Sequence, residues 1–160
     1  MIRPVSVADA ADIVGIYNYF ITDTDISFET EPLSLQQMAD RITDYVSRGP
    51  YFVYELDGRV VGYCYAHEWK ERKAYSLTLE TTVYVDPQHH RQGIGLALME
   101  RLIEECRKRG YVALVACITG DNEPSIKLHL RLGFRQVSLF RKVGSKFGRL
   151  LDVVDLELLL

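Results

Sequence analysis

The chain has 160 residues, 48% hydrophobic and 26% charged, an ordinary composition for one folded domain with a sizeable core. Nineteen basic against twenty-two acidic residues leave a formal charge of −3, so charge gives no ground for nucleic-acid binding. No apolar stretch approaches a bilayer span, and "MIRPVSVADA" lacks the apolar core of a signal peptide. Cys64, Cys106 and Cys117 have no paired or metal-like spacing and read as free buried thiols. The expectation is a cytoplasmic protein with neither a nucleic-acid nor a membrane partner. No repeat or linker interrupts the chain, so residues 1–160 are read as a single domain.

"IRPVS" reads as a first strand. Ser6 and Asp9 have the spacing of a helix N-terminus, followed by the helix-spaced apolar residues of "ADIVGIYNYFI". "SLQQMADRITDYVSRG" is a second helix, with Ser34 and Gln37 as a capping box and Gly49 as its stop. "YFVYELDGRVVGYCYAHEW" is a hairpin turning at Asp57-Gly58. "AYSLTLETTVYV" is a strand whose alternation puts Leu77, Leu79, Val83 and Val85 on one face and Thr78, Glu80, Thr82 and Tyr84 on the other. A helix from Gly93 to about Arg109 carries a core stripe of Leu98, Met99, Leu102, Ile103 and Cys106. "YVALVACI" predicts a strand buried on both faces, "NEPSIKLHLRLGF" a helix closed by Gly133, and "GSKFGR" the turn between two last strands. The order predicts an α/β (α+β) domain: a single mixed sheet flanked by helices on both faces.

"HHRQGIGLAL", His89 to Leu98, sets two histidines, an arginine and two glycines at a strand-to-helix turn. The adjacent histidines point different ways and His67 and His129 lie far off in sequence, so no metal is expected. The first turn of a helix offers unpaired amides and the positive end of its dipole. Gly93 and Gly95 leave a phosphate room to reach them, and Arg91 adds charge. The stretch has neither G-x-x-x-x-G-K-[ST] nor the third glycine of a dinucleotide fingerprint. On these residues alone an anion-binding turn and an ordinary helix start both stay open, as do anion site and solvated face for the basic patches "ECRKRG" and "FRKVGSKFGR".

"VYVDPQHHRQGIGLALMERLIEE" resembles the acetyl-CoA-binding motif of the GCN5-related N-acetyltransferase (GNAT) superfamily: strand, loop, [QR]-x-x-G-x-[GA], helix. His90 stands where the motif has Gln or Arg. The later pattern N-x-x-A-x-x-x-Y-x-x-x-G-F is matched in spacing by Asn122, Ser125, His129 and Gly133-Phe134. The resemblance implies the acetyl-CoA N-acyltransferase fold, with a mostly antiparallel sheet. It also implies acetyl-CoA as co-substrate, its pyrophosphate on the amides of Arg91, Gln92, Gly93, Ile94, Gly95 and Leu96, with Asn122 on the pantetheine arm and Ser125 beside it.

Acetyl transfer to an amine needs a neutral nucleophile, a polarised thioester and a proton for the leaving thiolate. Glu80 is the only carboxylate in the strand from Tyr75 to Val85 and lies on its threonine face, which suits a general base. The family bends this strand with a bulge, which implies that amides around Val83, Tyr84 and Val85 hold the acetyl carbonyl. His129, in place of the usual tyrosine, is implied to protonate the sulfur or orient a water.

"WKERKAYSLTLETTVYVDP", "NEPSIKLHLRLGF" and "VGSKFGRLLDVV" together resemble the phosphinothricin N-acetyltransferase subfamily. Its members acetylate the α-amine of small amino-acid analogues: phosphinothricin, methionine sulfone and methionine sulfoximine. Glu80 and His129 match the residues usually assigned to catalysis. Phe28, in "SFETEP", is implied to wall the acceptor pocket and Val153 to line it, while Arg72 and Tyr75 contact the acceptor's anionic end. Relatives are commonly dimers, so a homodimer is expected, with "LLDVVDLELLL" offering leucines for pairing. Leu150 replaces the subfamily's usual tryptophan, and Ser76-Leu77 and Leu79 also depart from its pattern. Two other readings stay open: a protein or peptide N-acetyltransferase, and a non-catalytic acetyl-CoA-binding sensor.

Overall fold

The computed structural model describes all residues, Met1–Leu160. Strand β1 (Ile2–Pro4) leads into the Ser6–Asp9 capping box, which closes one 3-10 turn (Val7–Asp9) before helix α1 (Ala10–Thr22) begins. Asp9 also takes a two-pronged grip from Arg3, at 2.8 and 2.9 Å. Helix α2 (Leu35–Arg48) starts at the expected Ser34/Gln37 box and stops at Gly49. Gly49 is required by its neighbour: a Cβ there would lie 2.0 Å from the Ala66 carbonyl oxygen.

Strands β2 (Tyr51–Leu56) and β3 (Arg59–Glu68) form the hairpin, with Asp57 and Gly58 both at positive φ, +50° and +77°. Then come β4 (Thr78–Val85), α3 (Ile94–Lys108), β5 (Ala113–Thr119), α4 (Glu123–Arg131), β6 (Arg135–Lys146) and β7 (Arg149–Leu159). One seven-stranded sheet results, in the order β1-β2-β3-β4-β5-β7-β6, antiparallel everywhere except between β4 and β5. This is the mixed, mostly antiparallel sheet expected of the family.

Two cores flank the sheet. Helix α3 packs Leu98, Met99 and Leu102, all fully buried, against Leu79, Leu114 and Leu156, with Phe134 closing the end near α4. Truncating any of these leucines to alanine costs about 2–5 kcal/mol through lost contact and the cavity left behind. On the other face α1 and α2 bury Ile13, Phe20, Met38 and Ile42 against Val53 and Tyr63. No helix is long and apolar enough to cross a membrane.

Three details differ from expectation. The strand at Tyr75–Val85 begins only at Thr78, because Lys73–Tyr75 is a 3-10 turn, and Leu77 is 53% exposed rather than core. Cys64 and Cys106 are buried free thiols, but Cys117 is exposed, so β5 is not covered on both faces. The bulge expected in β4 is absent: the β3–β4 register runs unbroken from Gly62↔Val85 to Glu68↔Leu79.

Candidate active site

The parallel pair β4–β5 is joined over only three residues, Thr78–Glu80 against Ala113–Val115. Beyond Glu80, β4 runs on to Val85 and β5 to Thr119 without pairing, so the sheet opens like a V. A cavity of about 470 Å³ fills that opening. The start of α3 stands beyond the tip of β4, and the start of α4 beyond the tip of β5.

This splay, not a bulge, frees the β4 amides. Asp86 N–H donates to the Val61 carbonyl at 2.9 Å, which fixes the alternation along the antiparallel β3–β4 ladder. By that alternation Thr82 and Tyr84 commit their amides to β3, while those of Val83 and Val85 face the opening. Tyr84 therefore leaves the expected set of carbonyl-binding amides. It contributes instead a ring, packed against Tyr17, Phe20 and Tyr63.

After β4 the chain turns through Arg91 (φ +62°) and Gly93 (φ +78°), a left-handed pair that directs consecutive amides outward. Bonding resumes at Ala97 N–H, which donates to Gly93. The amides of Arg91, Gln92, Gly93, Ile94, Gly95 and Leu96 donate to nothing within the protein. Six free donors at the positive end of a helix are an anion cradle. A Cβ on Gly95 would meet only Leu128 at 3.5 Å and Val85 at 3.6 Å, ordinary contacts, so no packing within the chain demands that glycine. The cradle fits the pyrophosphate of acetyl-CoA. His90 is exposed, its Nε2 bonded to the Val85 carbonyl at 2.9 Å and its ring stacked 6.4 Å from that of Phe20.

At the tip of β5, Asn122 caps α4 by accepting from the Ser125 amide at 3.4 Å, leaving its own NH2 free at the cavity wall. Ser125 and His129 follow along the same helix face and line the cavity. His129 is 3% exposed and lies edge-on to Phe134 at 5.0 Å. Its Nδ1 is 2.8 Å from the Ser125 carbonyl, which only accepts, so Nδ1 carries the hydrogen and Nε2 is a bare acceptor. Burial pushes this imidazole below the ordinary histidine range, against the weaker pull of the Ser125 carbonyl.

Glu80 stands where β4 and β5 diverge, half-buried in the cavity. Burial raises its carboxyl above the ordinary carboxylate range; His67 opposes the rise and Asp155 adds to it. Beyond Glu80 the walls are Tyr17, Ser27, Phe28, Glu29, Tyr65, His67, Cys117 and Val153. Glu29 is held by Arg41 and by the Tyr17 hydroxyl, which keeps its carboxyl below the usual range. The Phe28 loop is fastened by Lys146 Nζ to the Ser27 carbonyl at 2.6 Å and by Arg149 to Asp25 at 2.9 Å.

Of the residues picked out in the sequence, Glu80, His129, Val83, Tyr84, Asn122, Ser125, Phe28 and Val153 meet in one cavity. Arg72 and Tyr75 do not line it. They sit on the loop between β3 and β4, where Tyr75 packs edge-on to Trp69 at 5.3 Å and Lys70 lies over both rings. No lysine or arginine lines the cavity. Tyr17, Tyr65, His67 and Cys117 were not assigned to the site from the sequence: strand register brings Tyr65, His67 and Cys117 to Glu80, and the packing of α1 brings Tyr17. No three His, Cys, Asp or Glu side chains gather as a metal site would require.

The family model described as "Acetyltransferase (GNAT) family" matches residues 13–134. The chain is 38% identical over 152 residues to the phosphinothricin N-acetyltransferase of Streptomyces viridochromogenes, covering 95% of this chain and 83% of that one. It is 36% identical over 162 residues to the L-methionine sulfoximine/L-methionine sulfone acetyltransferase of Salmonella typhimurium, covering 98% and 92%. The solved structure of a GNAT superfamily phosphinothricin acetyltransferase from Sinorhizobium meliloti in complex with acetyl-CoA superposes with a TM-score of 0.96. The two share 33% identity over all of this chain and 88% of that one.

Proposed function

The chain belongs to the GNAT acetyltransferase family and is an acetyl-CoA-dependent N-acetyltransferase, and from that premise we propose that it acetylates the α-amine of a small amino-acid analogue of the phosphinothricin, methionine sulfone or methionine sulfoximine type. The observation that carries this reading is one continuous path: six free amides from Arg91 to Leu96, then the open side of β4, then Glu80 in a walled cavity.

In this reading acetyl-CoA supplies the acetyl thioester, and the amides of residues 91–96 hold its pyrophosphate. Asn122 bonds the pantetheine arm, with Ser125 beside it. The amides of Val83 and Val85, turned to the opening, hold the thioester carbonyl oxygen. Glu80 takes a proton from the acceptor's ammonium, directly or through a water, and leaves the nitrogen its lone pair. The nitrogen–carbon bond forms as the carbon–sulfur bond breaks, and a second nitrogen proton is left over for the thiolate. The bare Nε2 of His129 orients a water beside the leaving sulfur; a buried neutral imidazole serves that role better than it serves as an acid.

Phe28 and Val153 wall the acceptor. Its acid group needs a cation that the cavity wall lacks, and we assign that part to Arg72, with Tyr75. Their loop joins β3 to β4 and so adjoins the Glu80 end of the cavity. The proposal extends to a homodimer, supported by the apolar side chains left exposed on the outer hairpin, Val137, Leu139, Phe140, Val143 and Leu150. Light scattering at micromolar concentration tests it, and a monomer mass refutes it.

The deciding experiment offers acetyl-CoA with phosphinothricin, methionine sulfone, methionine sulfoximine and an unrelated peptide amine, and reads products by mass spectrometry. Acetylation of the analogues but not the peptide supports the reading. Acetylation of the peptide alone keeps the chemistry and overturns the acceptor.

A further inference from the structure

A general base must shed the proton it takes before it turns over again, and the cross-strand neighbour of Glu80 is a histidine. His67 of β3 pairs with Glu80 of β4. The alternation fixed by Asp86 and Val61 makes this a pair that exchanges its backbone hydrogen bonds. Their Cα atoms are therefore about 5.5 Å apart and their side chains leave the sheet on the same face. Both line the cavity.

The His67 ring is held in one orientation. It stacks on Tyr45 at 5.3 Å and lies 5.9 Å from Tyr65. Its Nδ1 is 2.9 Å from the Glu68 carbonyl oxygen, an acceptor only, so Nδ1 carries the hydrogen and Nε2 keeps a free lone pair. The other titratable groups around Glu80 are already committed. Burial pushes Tyr17 up to about 12 and Tyr65 well above its ordinary value, and Cys117, though open to the cavity, is pushed up to about 12 by partial desolvation and the nearby Asp155 and Glu80 carboxylates, so all three stay protonated. Glu29 is tied to Arg41 and Tyr17, and His129 to Ser125 on α4. Asp155 of β7 is the one other carboxylate that acts on Glu80.

We propose that His67 is a positioning and relay residue for Glu80: its Nε2 receives, through one bridging water, the proton that Glu80 has taken from the acceptor's ammonium. The carboxylic acid O–H breaks and the Nε2–H bond forms, which restores the carboxylate. The imidazolium, part-exposed at the cavity's edge, then releases the proton to solvent. A bridging water is required because no direct hydrogen bond or ion pair joins the two side chains. The inference rests on Glu80 being the base, as proposed above. A facing imidazolium also favours ionised Glu80, the direction of its influence on that carboxyl.

The test uses His67→Gln in two arms, one of which needs no acceptor. First, the Glu80 side-chain carboxyl is titrated by carbon-13 NMR in both proteins; the expected midpoint rises by about half a pH unit or more in the variant. Second, turnover of methionine sulfone with acetyl-CoA is followed against pH. The expected kcat falls about 10-fold or more, and the acid limb of kcat/KM moves to higher pH. An unmoved Glu80 midpoint overturns the pairing whatever the acceptor is. A raised midpoint with kcat unchanged on the pH plateau overturns the relay. Absence of product from the unaltered protein counts against the acceptor reading alone, because the first arm still tests the pair.

Discussion

Gly144→Ala tests whether the Phe28 wall shapes the acceptor site. A Cβ built on Gly144 falls 2.5 Å from Cε2 and 2.7 Å from Cζ of Phe28. Carbon atoms rest about 3.5–4.0 Å apart, so the ring edge must retreat by roughly 1 Å. Strand β6 cannot yield in its place, because Gly144 is buried and paired with Leu151 of β7. Phe28 can, being 44% exposed. Folding then changes little: the cost of moving a part-exposed ring is offset by the ~0.4–1 kcal/mol that Gly→Ala gains by restricting the unfolded chain. The effect falls on the acceptor, since a 1 Å shift in a positioning wall costs up to about 100-fold. We expect KM for methionine sulfone to rise about 10-fold, with kcat falling less and acetyl-CoA affinity unchanged, because the amide cradle lies elsewhere. Steady-state kinetics, calorimetric titration of acetyl-CoA and a urea melt measure the three quantities. Phe28→Ala should raise KM similarly, and the double variant should be far from additive. An acceptor KM within twofold of the parent, in a folded variant, would remove Phe28 from the pocket wall.

Three further changes probe the rest of the site and the fold. Glu80→Gln should lower turnover about 100-fold or more with acetyl-CoA affinity kept; in the unaltered protein a raised Glu80 holds its proton to higher pH, so kcat/KM falls on acidification through a limb above the ordinary carboxylate range, and persistence of that limb in the variant rules Glu80 out. Gly95→Val should weaken acetyl-CoA binding about 10-fold by calorimetry while changing stability by only about 1 kcal/mol, since the glycine meets only ordinary contacts within the chain; a dissociation constant within twofold refutes the cradle. Asp9→Asn should cost about 1–3 kcal/mol at pH 7, because Asp9 accepts two bonds from Arg3 and one from the Ser6 amide. The fold depresses the Asp9 carboxyl, chiefly through Arg3. Its contribution is therefore complete above the unfolded value of about 3.9 and lost as pH falls through the lower folded value. Urea melts at pH 7 and pH 3 should show the gap between the two proteins narrowing, and equal stability at pH 7 defeats the assignment.

What the sequence revealed and what it hid divide along one line. Features set by neighbours a few residues apart were legible: the Ser34/Gln37 box, the Asp57-Gly58 turn, the glycines at 93 and 95, and the spacing from Asn122 to His129. The box, the turn and Gly93 at φ +78° are local backbone requirements, and local requirements leave local residue types. The strand alternation that set Glu80 apart from Leu79 was legible for the same reason. What stayed hidden depends on register and on where pairing stops. That Tyr84 gives its amide to β3 follows from a hydrogen bond between Asp86 and Val61, twenty-five positions apart. That Cys117 faces a cavity follows from β4 and β5 parting after three pairs. An apolar run such as "YVALVACI" looks the same beside a helix as beside an empty cleft.

The parting of β4 and β5 carries most of the functional consequence, and its cause lies at both ends. At the closed end the strands are held by the ladder through Glu80 and Val115, and the Thr81 hydroxyl reaches the Val115 carbonyl at 3.4 Å. At the open end each strand keeps only its outer partner: β4 stays with β3 as far as Asp86, and β5 with β7 along seven pairs ending at Thr119↔Val153. Thr119 is further drawn aside by bonds from its hydroxyl to the Asp25 and Ile26 carbonyls, at 3.2 and 3.3 Å. Those bonds tie the strand tip to the loop that carries Phe28. In the proposed function the same contacts keep the cleft open for the pantetheine arm and set the wall of the acceptor pocket, with Glu80 where the two demands coincide.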